Sequence, residues 1–193
     1  MTLGITGISG SGKHMVANFF KEKEWVILDA DKIAHDLYRP YTGVWKKITK
    51  EFGEKILNTD DTINRFKLSE IVFNPSDPDA SKLLLGKLNQ IIHPYMKRRM
   101  KEVIHRHFHR ESNIVVIAAL WEELELKKLC DKILLIKANP ETRLKRIQNR
   151  DGISAEMYKM RIKNQKDISD PDYTIENNGE LRELKGELNG ITL

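Results

Sequence analysis

Apolar residues along this chain fall into two patterns. One is the short continuous run: LGIT at 3–6, WVIL at 25–28, NIVVIAAL at 113–120, KILLIK at 132–137 and DYTI at 172–175. Runs of this length without strict polar alternation predict strands covered on both faces, as in a parallel sheet flanked by helices. The other pattern is the helical stripe. Met15, Val16, Phe19 and Phe20 repeat at i, i+1, i+4, i+5 directly after the first run, Ile48, Phe52 and Ile56 form a second stripe, and Leu84, Leu88 and Ile91 a third. The chain is therefore read as an α/β protein with a five-stranded parallel sheet.

Runs and stripes do not alternate evenly. Residues from about 33 to 110 are largely helical, too long for a simple crossover, and read as a helical insertion into one domain. Inside it NPSDPD at 74–79 is a turn cluster, and Pro94 starts or kinks a helix carrying Tyr95, Met96, Met100, Val103 and Ile104. The stretch 142–170 is helical in propensity, strongly charged and poor in large apolar residues, so much of it is expected to stand clear of the core.

Between the first strand and the first helix lies GISGSGKH, residues 7–14. It matches G-x-x-x-x-G-K-[ST], a phosphate-binding loop, in all but its last position. The string alone arises by chance in roughly one chain in twenty of this length, given average composition. Its placement between strand and helix is what sharpens it: glycines 7, 10 and 12 let backbone amides turn inward at a helix N-terminus, and Lys13 brings a mobile charge to the outer phosphates. His14 is the departure, because magnesium prefers oxygen ligands and imidazole replaces a hydroxyl poorly. The expectation is a metal held by phosphate oxygens, waters and a nearby carboxylate, with turnover reduced rather than abolished.

After the second strand comes DADKIAHDLY. Asp29 and Asp31 stand two apart, so on an extended strand end they point the same way; a carboxylate there can hold magnesium or accept a hydroxyl proton. For Asp31 an N-cap is the structural alternative. Further on, Arg143, Arg146 and Arg150 share a helix face at i, i+3, i+7 and can converge on a polyphosphate, with Arg161 and Gln165 following.

Composition narrows the function classes. The chain has 193 residues, with 33 Lys and Arg against 28 Asp and Glu, net charge +5. Both signs are mixed throughout, which suits an anionic small molecule and argues against nucleic acid. The one cysteine, Cys130, excludes an internal disulfide and points to a reducing compartment. No apolar stretch approaches the roughly 20 residues of a membrane span. The reading is a cytoplasmic protein, monomer or weak homo-oligomer. His105, His107 and His109 read as polar surface of a helix, since no third metal ligand is evident.

The chain resembles the dephospho-CoA kinases, P-loop kinases that use ATP to phosphorylate the ribose 3′-hydroxyl of dephospho-CoA. The resemblance runs nearly end to end through TGISGSGK, DADKIAHDLY, FGEKIL, IIHP at 91–94, AALWE at 118–122, RLKRIQNRD with the later RIKNQ, and DYTIENNG at 172–179. It implies a P-loop kinase core of about 1–32, 111–138 and 167–193, a substrate-binding insertion at 33–110 and a lid at 139–166. It implies that Gly10, Ser11, Gly12, Lys13, His14 and Met15 bind ATP, with Asn177 and Gly179 in the loop bordering adenine. Lys13, Arg146 and Arg150 would neutralise transferring charge, while Asp31 would act as general base and a possible magnesium ligand. Asp31, His93 and Arg161 would contact the dephospho-CoA side. The chain departs from the family at His14 and Met15, where a hydroxyl pair is usual, and at Ala118, where proline is common. The competing expectations are another P-loop kinase for a nucleoside or sugar, or a catalytically weakened nucleotide-binding homologue.

Overall fold

β1 (Thr2–Thr6) is buried along its whole length, which explains why it is apolar without alternation. It is flanked in the sheet by β3 (Ile114–Ile117) and β4 (Lys132–Lys137), both parallel to it. β2 (Val26–Asp29) pairs with the outer edge of β3, and β5 (Tyr173–Glu176) with that of β4. The order is thus β2-β3-β1-β4-β5, all parallel, with β1 central. The structure, a computed structural model, describes residues 1–74, 76–108, 112–118, 121, 125–163, 165–192. Pro75, His109, Ala119, Leu120, Glu122 and Asn164, which belong to stretches singled out above, lie outside the described residues.

The described chain divides into two compact units. The first comprises Met1–Ala30 and Met100–Leu193. Its core joins Leu3 and Ile5 of β1 with Leu134 and Ile136 of β4 and with the apolar face of α1 (Lys13–Lys21), where Val16, Phe19 and Phe20 are buried. α6 (Pro140–Asp151), α7 (Ala155–Ile162) and α8 (Leu181–Asn189) complete it. Among the described residues of the charged stretch 142–170, Ile147, Tyr158 and Ile168 are nonetheless buried.

The second unit is Asp31–Arg99. It holds α2 (Ala30–Leu37) from its second residue, α3 (Gly43–Phe52), α4 (Arg65–Val72) and α5 (Pro78–Phe108) as far as Arg99. Thr42 caps α3 by accepting from the Trp45 amide at 3.1 Å, and Asn64 caps α4 through the Lys67 amide at 3.0 Å. Val44, Ile48 and Phe52 are buried at i, i+4, i+8, and α3 stops at Gly53, whose φ of 76° favours glycine.

Two expectations change here. Of the two alternatives for Pro94, the helix start is ruled out: it sits inside α5, so His93 is a mid-helix residue and not part of a helix start. An interior proline costs about 3 kcal/mol; Leu88, Ile92 and Met96, buried every four residues around it, supply packing that offsets this. The second concerns Asp29 and Asp31. Helix α2 begins at Ala30, so 29–31 is not a continuous extended strand, and the alternation that would align the two carboxylates does not apply. Asp31 is in the first helical turn, where its charge complements the helix dipole.

Candidate functional site

The first unit's site is built on residues 7–14, at the C-terminal end of the central strand, where open parallel sheets bind ligands. Gly10 and Gly12 have φ of 91° and 101°, values that side chains rarely adopt, and a Cβ on Gly12 would collide with Asn177 Nδ2. Gly12 serves as the left-handed N-cap of α1, without a side-chain cap. This turns the amides at the head of α1 outward from their own loop.

The loop's carbonyls are all engaged. Gly7 O accepts from Lys13 Nζ at 2.6 Å, and Ile8 O accepts from the Ser11 amide at 3.0 Å. Ser9 O accepts from the Tyr158 hydroxyl at 3.0 Å. Arg146 Nη1 donates to Gly10 O and Ser11 O, both at 3.4 Å, and to Asn177 O at 3.1 Å. Asn177 Nδ2 donates to Ser11 O at 2.8 Å, and Gly12 O accepts from the Met15 amide at 2.9 Å. The amides divide differently. Ser9 N donates to Gln165 Oε1 at 2.8 Å, whereas the amides of Gly10, Gly12 and His14 have no hydrogen-bond partner among the described residues. Gly10 and Gly12 are half-buried and His14 is exposed, so these donors are open to a ligand from solvent, and three at one helix head suit a phosphate. Ser11 Oγ, fully buried, also lacks a partner among the described residues.

His14 is turned toward β2. Its Nε2 lies 2.8 Å from Asp29 Oδ2; the imidazole is 49% exposed and the carboxylate only 4%. Met15, next along α1, is exposed.

The arginines of α6 separate. Arg146 reaches the loop, while Arg150 forks onto Asp151 through Nε at 2.6 Å and Nη2 at 2.9 Å, where Arg161 Nη1 joins at 2.6 Å. These bonds, Arg150's first, hold the Asp151 carboxyl below its ordinary range. The Arg143 guanidinium has Nε and Nη1 buried with no partner among the described residues. Burial pushes the Tyr158 hydroxyl upward, against the lowering charges of Arg143 and Arg161, and this hydroxyl is the donor to Ser9 O. Gly179 precedes α8, whose capping box pairs Glu180 with Glu183.

Asp31 and His93 belong to the second unit. There Tyr38 is pushed up to about 12, chiefly by burial, with the Arg65 charge lowering it and that of Asp31 raising it. Tyr158 carries no local sequence signal for holding the loop, and Gln165, although it closes RIKNQ, reads in sequence with the arginines rather than with the Ser9 amide: both act across about 150 residues of chain.

Residues 1–183 match the family described as Dephospho-CoA kinase. A protein named dephospho-CoA kinase from Lactobacillus acidophilus is 35% identical over 99% of this chain and 95% of its own length. One of the same name from Fusobacterium nucleatum is 37% identical over 95% of this chain and 93% of its own. Among solved structures, dephospho-CoA kinase from Campylobacter jejuni superposes with a TM-score of 0.63 at 25% identity, covering 98% of this chain and 94% of that one. No helix among the described residues is long and apolar enough to cross a membrane. With a P-loop kinase fold and a family match over nearly its full length, the chain belongs to the dephospho-CoA kinase family.

Proposed function

We propose that this protein transfers the γ-phosphoryl group of ATP to the ribose 3′-hydroxyl of dephospho-CoA, yielding ADP and coenzyme A. The observation that carries the phosphate half of this reading is the set of amides at Gly10, Gly12 and His14 without a partner among the described residues, on a loop whose carbonyls are all bonded. Family membership supports the acceptor.

In-line transfer through a loose transition state leaves the protein to position groups and neutralise charge. The 3′-oxygen attacks phosphorus, the bond to the bridging oxygen of ADP breaks, and the hydroxyl proton leaves to a base, for which Asp31 is the candidate. Gly10, Ser11 and Gly12 receive the phosphates. Lys13, now on the carbonyls of Gly7 and Ile8, turns to the outer phosphates when they arrive. Arg146 and Arg150 supply charge at transfer, Arg150 by exchanging Asp151 for phosphate. Met15 contributes to ATP binding, Asn177 and Gly179 border the adenine, and His93 and Arg161 contribute to the CoA side. The single cysteine supports a cytoplasmic setting.

Magnesium usually accompanies ATP in this fold, held by a loop hydroxyl. The donor at that position does not fit it: His14 offers an imidazole nitrogen in place of an oxygen, and its ring is already bonded to Asp29.

A coupled ADP-release assay tests the function. ADP formation should depend on dephospho-CoA, saturate with it, and give a 3′-phosphorylated product. Equal release without acceptor, or preference for a sugar or nucleoside acceptor, would contradict it.

A further inference from the structure

We propose that His14 converts the metal position of this phosphate loop into one that takes a first-row transition dication through an imidazole nitrogen. The inference rests on the nucleotide-binding reading above and specifies the metal that accompanies the nucleotide.

Position 14 follows the loop lysine, and from that position P-loop enzymes direct a hydroxyl to the metal. Here the side chain is an imidazole whose Nε2 is 2.8 Å from Asp29 Oδ2. An ionised carboxylate only accepts hydrogen bonds, so the proton of this bond sits on Nε2. In the neutral imidazole that leaves the lone pair on Nδ1, which makes no hydrogen bond among the described residues, on a ring that is half exposed. A carboxylate that receives one ring N–H while the other nitrogen faces a metal is the arrangement that fixes the tautomer of ligating histidines and raises their basicity. Asp29 is suited to that task, since it is almost fully buried at the end of a strand and cannot easily swing away.

The chemistry of the donor selects the ion. Magnesium demands hard oxygen ligands in near-octahedral geometry, whereas affinity for nitrogen donors rises from manganese through iron and cobalt to nickel. Among the described residues no group of three or more His, Cys, Asp and Glu can hold a metal. One imidazole is too little for a resident site, so the ion arrives with the nucleotide, whose phosphate oxygens and waters supply the remaining ligands.

The test uses the full chain with Mn2+ and the non-hydrolysable ATP analogue AMPPNP, read by pulsed electron paramagnetic resonance. The expected spectrum shows 31P couplings from the phosphates together with a directly bound imidazole 14N, the latter lost in His14→Thr. Affinity of the Mn2+–AMPPNP complex should fall about tenfold in that variant and about 10- to 100-fold in Asp29→Asn, the usual cost of removing the carboxylate behind a ligating histidine. The ratio of Mn2+- to Mg2+-supported kcat/KM should shift toward Mg2+ in His14→Thr. Phosphate couplings without imidazole nitrogen would overturn the proposal while leaving nucleotide binding intact. Absence of both couplings would overturn the nucleotide reading as well. If His14 merely satisfies the buried carboxylate, His14→Thr lowers stability and leaves the metal ratio unchanged, which also overturns it.

Discussion

The two sides of the phosphate loop are treated in opposite ways. Its carbonyl side is clamped from three other places in the chain, by Arg146 on α6, Tyr158 on α7 and Asn177 after β5, and by the loop's own Lys13. Its amide side, at Gly10, Gly12 and His14, has no partner among the described residues. A flexible glycine loop left alone would lose conformational freedom on meeting an anion and so bind it weakly. Clamping the carbonyls places that cost in folding, and the amides are held in position before the ligand arrives. Affinity for phosphate is therefore expected to depend on residues that need not touch the phosphate.

Removing Arg146 should break the contrast most severely, because it acts on two loop carbonyls and carries charge. Arg146→Ala is expected to lower kcat by about 10³-fold or more, the range for a charge-stabilising arginine in phosphoryl transfer. Arg146→Lys keeps the charge but should rescue little, since the ammonium differs from the guanidinium in reach and donor geometry at the three carbonyls that Nη1 meets. Gly12→Ala comes next: a positive φ and a collision with Asn177 force the loop to shift, at about 1–3 kcal/mol of strain. Calorimetric titration should show nucleotide affinity falling by roughly 10- to 100-fold, with thermal stability changed less.

Asn177→Ala removes one clamp and leaves the charge intact. It should weaken nucleotide binding by about tenfold, corresponding to the upper range for a net hydrogen bond. Tyr158→Phe, which deletes only the hydroxyl on Ser9 O, should cost about 1 kcal/mol of stability and change KM for ATP a few-fold, with kcat little affected. The smallest effect concerns acid. Asp151 is held below its ordinary value by Arg150 and Arg161, so its folded form binds a proton less readily than the unfolded one. Its contribution is present above the unfolded value near 3.8 and lost as pH falls through the lower folded value. Hydrogen exchange in α6 and α7 should rise over that acidic window, and Asp151→Asn should flatten the change.

The fold was largely legible because buried strands are apolar on both faces. KILLIK at 132–137 coincides with β4, three of the other runs miss their strands by one residue at one or both ends, and the described part of the run at 113–120 extends one residue beyond β3 on each side. Ends drift because the hydrophobic pattern reports burial, whereas strand limits follow hydrogen bonding: Asp29 closes β2 although it is charged. α5 was less legible, since a proline inside a helix reads locally as a boundary and only packing along its other residues carries it through. At the site, the loop string and its strand–helix setting were plain. What holds the loop was not, because Tyr158, Gln165 and Asn177 meet it across about 150 residues and obey no spacing rule. Arg146 and Arg150 share a spacing, yet one reaches the loop and the other an aspartate, a difference that side-chain period cannot express.

The central claim is most directly tested by following individual backbone amides through a nucleotide titration by NMR with 15N-labelled protein. On adding AMPPNP, the resonances of Gly10, Gly12 and His14 should move downfield together, while those of Ser11 and Met15, already bonded within the loop, should move much less. Equal movement of all five, or shifts confined to residues elsewhere, would contradict a loop whose clamped carbonyls set its amides for phosphate.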